Sequence, residues 1–67
     1  MNEIRVSLKG HLRDRKTLCA RNGRELSVNL GNLKFEGVGR DVVLIGELIF
    51  DASNGVSLNV EVAKIIL

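Results

Sequence analysis

"DVVLIGELIFDASNGVSLNVEVAKIIL", residues 41 to 67, decides the fold. Residues 41–50 are nearly all apolar and β-rich, which predicts a strand buried on both faces, with Phe50 in the core. Gly46 marks a bend in that strand. The turn 51–55 ends in Asn54-Gly55, a pair that accepts the positive φ of tight hairpins. Val56, Leu58, Val60 and Val62 then alternate with Ser57, Asn59 and Glu61. At Ala63 the apolar phase shifts to Ala63, Ile65 and Leu67. A bend or a second packing surface in the last strand is the expected cause.

The same period runs through the other end of the chain. Ile4, Val6, Leu8 and Leu12 alternate with Arg5, Ser7, Lys9, His11 and Arg13. Gly10 stands where an apolar residue is due and marks a bulge or a barrel corner. Asp14-Arg15 breaks the strand, a short strand follows at 16–20, and Asn22-Gly23 turns into a third strand through Leu26, Val28 and Leu30. Leu33 and Phe35 extend that strand in a shifted register. Residues 31–40 are too rich in glycine and asparagine for a helix. Five strands, two of them bent, imply an all-β chain closed into a small barrel, which removes exposed edges. An SH3-like barrel of the Sm type is the alternative, and it would shift the ligand toward RNA.

The chain has 67 residues, one domain over 1–67. A chain this short buries only about 60% of its unfolded surface, so a homodimer is expected to add burial. A single cysteine, Cys19, rules out a disulfide framework, and clustered metal ligands are absent. No cofactor is expected. There is no secretory signal and no apolar run long enough to span a membrane, which favours the cytoplasm.

The opening Val6, Leu8, Gly10 and Leu12, followed by Asn22-Gly23, resembles the first hairpin of bacterial single-stranded DNA-binding proteins. The closing Gly46, Asn54-Gly55, Val56 to Val62, Ala63 and Ile66 resembles the last two strands of the primosomal replication protein B family. The resemblance covers two end segments, about two-thirds of the chain. It implies the OB fold, a five-stranded Greek-key barrel that binds oligonucleotides. Two departures stand out. The middle is much shorter than in those families, and the chain has no Trp or Tyr, only Phe35 and Phe50.

Charge agrees with such a ligand. Residues 1–24 hold seven Lys/Arg and two acids, a net of +5; residues 25–67 hold three and six, a net of −3. Arg5, Lys9 and Arg13 share one strand face, Arg15 and Lys16 occupy the first turn, and Arg21 and Arg24 bracket the second. These seven cations, with Phe35 as a stacking platform, are the predicted nucleic-acid-binding residues. Binding would be electrostatic and sequence-indifferent, with a salt slope of about −3 for roughly four phosphates on a single strand. The expected function is an accessory of DNA replication in a bacterium or phage, holding single-stranded DNA rather than RNA. The alternative is a non-catalytic interaction module whose basic face docks an acidic protein. Catalysis is not expected: His11 has no nucleophile nearby in sequence, a Cys19–His11 pair would need the fold to bring the two together, and no residue spacing suits a metal.

Overall fold

The computed structural model describes residues 4–53 and 55–66. It contains β1 (Ile4–Asp14), β2 (Thr17–Cys19), β3 (Glu25–Asn29), β4 (Asp41–Asp51) and β5 (Gly55–Ile65). Among the described residues there is no helix, and so none long and apolar enough to cross a membrane.

The strands close into a barrel in the order β1-β2-β3-β5-β4. All neighbours are antiparallel except β3 and β5, which run parallel through Ser27–Ser57, Val28–Leu58 and Asn29–Asn59. An SH3-like meander would join β3 to β4; here the chain crosses over, giving the Greek-key, OB-like arrangement. Five strands enclose a core only if they are strongly staggered. Asp41 pairs with His11, His11 with Cys19, and Cys19 with Glu25. The parallel register sets Glu25 level with Gly55, which pairs with Asp51. One circuit of the barrel therefore climbs ten residues along β4, from Asp41 to Asp51.

The interior is aliphatic. Leu12, Leu18, Val28, Leu30, Val42, Leu44, Leu58 and Val60 are buried, and Val6, Leu8, Leu26, Leu33, Phe35, Leu48, Ala63 and Ile65 pack around them. No buried polar side chain lacks a partner among the described residues. Fully burying one such aliphatic side chain stabilises the fold by about 1.5–3 kcal/mol.

Two glycines allow the bends. A Cβ on Gly46 would overlap the carbonyl oxygen of Asn59 and stand 3.0 Å from Val60 Cα. One on Gly10 would stand 2.7 Å from the carbonyl oxygen of Cys19. Beside Gly46 the β4–β5 register slips: Ile45 faces Val62 but Gly46 faces Val60. Glu61 is the extra residue. This bulge is the physical reason for the phase shift in the last strand: Leu58 and Val60 point inward before it, Ala63 and Ile65 after it.

Asx turns shape four connections. The side-chain oxygens of Asp14, Asn22, Asn29 and Asp51 each accept the backbone N–H two residues on, at 2.7–3.0 Å. Gly23 and Gly55 take the positive φ expected of them; Asn54 and Leu67 lie outside the described residues.

Three expectations need correction. Leu33 and Phe35 do not extend β3: residues 30–40 are irregular and lie across the barrel, where the Gly39 N–H donates to Leu12 O and the Leu12 N–H to Arg40 O. β4 is not buried on both faces, for Val43, Ile45 and Glu47 on its outer side are half-buried and Ile49 is exposed. Phe50 is not core. The stagger carries the end of β4 beyond the rim, and Phe50 is 64% exposed.

Candidate functional site

The period of two sets Arg5, Lys9 and Arg13 outward along β1, as expected, with Leu12 buried between. Neighbouring strands then decide which cations stay free. Arg5 reaches across β4 to the bulge residue Glu61, its guanidinium donating to both carboxylate oxygens at 2.6–2.8 Å. Arg13 donates to Glu25 at the start of β3 and lies 3.9 Å from Asp14. Arg15 turns back over the irregular segment and donates to Leu33 O at 2.8 Å and Phe35 O at 3.2 Å. It thereby satisfies two carbonyls that no strand pairs.

Lys9, Lys16, Arg21 and Arg24 make no side-chain hydrogen bond or ion pair among the described residues. The seven predicted cations therefore split into three engaged and four unengaged. The Asp14 carboxyl is held below its ordinary pKa, mainly because it accepts the Lys16 backbone N–H. This anion fixes the β1–β2 turn with Arg15 and Lys16 on its surface.

Two of the free cations share a cleft. It has a volume of about 770 Å³ and lies between the middle of β1, the exit of β2 and the entry of β4. Lys9, His11, Cys19, Arg21, Asp41 and Ile66 line it. His11 has Asp41 on one neighbouring strand and Cys19 on the other. Its Nδ1 is 3.2 Å from Asp41 Oδ1. Cys19 is a half-buried free thiol that alternates against buried Leu18. No His/Cys/Asp/Glu group among the described residues suits a metal ion.

The aromatic residues exchange their expected places. Phe35 is half-buried, its ring against Gly37 and the core. Phe50 stands exposed near the β4–β5 turn, paired across the strands with exposed Val56 and preceded by Ile49 on the opposite face. Sequence reasoning assigned Phe50 to the interior because its strand is apolar throughout; the stagger that exposes it depends on pairing between distant segments. Lys64 was also missed. The register sets Lys9, Val43 and Lys64 side by side on β1, β4 and β5.

No family model, curated protein or solved structure matches the chain.

Proposed function

We propose that this barrel holds single-stranded nucleic acid, DNA before RNA, by electrostatic contacts with its outer surface. The observation that carries the proposal is that, of the seven cations in residues 1–24, Lys9, Lys16, Arg21 and Arg24 have no side-chain partner among the described residues and lie on β1 or in the turns flanking β2; Lys34, Arg40 and Lys64 are likewise unpaired elsewhere on the barrel. In OB-like barrels the β2–β3 face and the β1–β2 and β4–β5 loops are the usual oligonucleotide contacts. Lys16 sits in the first of these loops, Arg21 and Arg24 flank the β2–β3 hairpin, and exposed Phe50 adjoins the last. Phosphate neutralisation supplies affinity without sequence preference. One exposed aromatic ring supplies a single stacking platform. No catalytic step is part of the proposal. An accessory part in DNA replication follows from the resemblance alone.

The test is chemical-shift mapping with a short oligothymidylate at low salt. The amides of Lys9, Lys16, Arg21, Arg24 and Phe50 should move together. Absence of any shift would remove the proposal.

A second reading, docking of an acidic protein on the same surface, is favoured by the scarcity of aromatics. It predicts that the cations respond to an acidic peptide and not to the oligonucleotide. A homodimer would use the outer stripe of Val43, Ile45 and exposed Val62, which no described strand covers. A monomer mass at every concentration in sedimentation equilibrium would exclude it.

A further inference from the structure

We infer that the cleft between β1, β2 and β4 is a receptor for a phosphate monoester, either the terminal phosphate of an oligonucleotide or a free mononucleotide. For an oligonucleotide end this rests on the nucleic-acid binding proposed above; for a mononucleotide it does not.

Two cations face the cleft from separate elements, the Lys9 ammonium on β1 and the Arg21 guanidinium on the hairpin after β2, with the His11 ring on the same β1 face two residues from Lys9. Neither Lys9 nor Arg21 is neutralised by a carboxylate among the described residues. Among the described residues Asp41 is the sole acid lining the cleft; it is directed at His11 Nδ1 and leaves Nε2 as the ring nitrogen without a partner there. Holding one ring nitrogen in this way fixes the orientation of the other.

The donor set suits a terminal phosphate better than an internal one. A monoester carries about −1.5 to −2 charges at neutral pH and three acceptor oxygens. An internal diester has one charge and two free oxygens. The fixed cations Lys9 and Arg21 match the charge and between them carry N–H donors enough for three oxygens; His11, whose Nδ1 hydrogen is directed at Asp41, adds an Nε2 donor when its ring is protonated. The volume of about 770 Å³ falls in the range of pockets that hold small molecules, roughly 300–1,000 Å³. Arginine is suited to the task because its planar fork donates two parallel bonds to one phosphate.

Cys19, the chain's one cysteine, is a reporter built into the wall of this cleft. The experiment has two arms. In the first, the affinities of 5′-phosphorylated and 5′-hydroxyl oligothymidylate, labelled at the other end, are compared by fluorescence anisotropy. In the second, the rate of Cys19 alkylation by iodoacetamide is followed with and without adenosine 5′-monophosphate.

The expected result is about tenfold tighter binding of the phosphorylated oligonucleotide, the size of one charge-assisted hydrogen bond. Adenosine 5′-monophosphate should slow alkylation. Arg21→Gln and Lys9→Ala should each remove the preference and the protection. Both side chains are exposed, so the thermal midpoint should hold and serve as the folding control. Protection by the mononucleotide without any oligonucleotide binding would uphold the cleft and refute the nucleic-acid function. Protection with equal oligonucleotide affinities would assign the free mononucleotide as ligand. Equal affinities with no protection would overturn the inference while leaving nucleic-acid binding intact.

Discussion

The division of the cations into engaged and free predicts how binding responds to salt. For a single strand, the logarithm of the binding constant falls against the logarithm of salt with a slope of about −0.7 per phosphate neutralised. Lys9, Lys16, Arg21 and Arg24 lack partners among the described residues, so four contacts give a slope of about −2.8. Raising salt fourfold should then weaken binding about 50-fold. Recruiting Lys64, beside Lys9 across β4, would steepen the slope to about −3.5. If all seven sequence-predicted cations engaged, it would be about −5 and the loss about a thousandfold. The perturbation that separates these cases is Glu61→Gln. It releases Arg5 from its two-oxygen grip and should add about 0.7 to the magnitude of the slope. Both partners of that pair are largely solvent-accessible, so stability should change by no more than about 1 kcal/mol. Fluorescence anisotropy titrations of wild type and variant across a salt series would measure it. A wild-type slope near −5, or a variant slope equal to wild type, would show that the carboxylates do not withhold their arginines and would refute the reasoning.

Gly46→Ala should destabilise the barrel by about 1–3 kcal/mol in urea unfolding, because its Cβ meets backbone, which cannot rotate away; an unchanged midpoint would remove the close-approach explanation of the β4 bend. Phe50→Ala should leave the midpoint almost where it was and cost about 1–3 kcal/mol of oligonucleotide binding, so an unfolded variant would return Phe50 to the core. Asp14 has a folded-state pKa depressed below its ordinary 3.8, so its contribution is full above that value and is lost as pH falls through the lower folded one. Asp14→Asn should therefore flatten the acid limb of the stability–pH curve below about pH 4 and leave its neutral plateau without slope; an unaltered acid limb would show that the Lys16 N–H bond does not hold the anion.

The fold was largely legible because its determinants are local. Alternation along residues 4–13 and 56–62 survives in the strands, and Asn22-Gly23 turns where its backbone freedom predicts. Even the phase shift near Ala63 was visible before its cause, the bulge at Glu61. What could not be read is whatever depends on register between distant strands. Arg5 and Glu61 are 56 residues apart, and only the β1–β4–β5 pairing brings them together. Nor does an apolar run carry a mark of where a strand leaves the barrel, which is how Phe50 was misassigned. Nor could the sequence show that the Arg15 guanidinium donates to Leu33 O and Phe35 O, where carbonyls without a strand partner need a donor from somewhere.

The seams on either side of β2 and β3 are the weak links of the ring. β1–β2, β2–β3 and β3–β5 rest on three residue pairs each, whereas β1 and β4 are joined through eight and β4 and β5 through ten. A ring held so unequally parts first at its shorter seams, and thermal breathing should expose the Leu18 and Val28 amides, the latter bonded to Lys16 O, to solvent deuterium well before those of Leu8 and Leu44. Opened there, the molecule becomes a curved strip, still zipped along its longer side, with its greasy lining turned outward at the break.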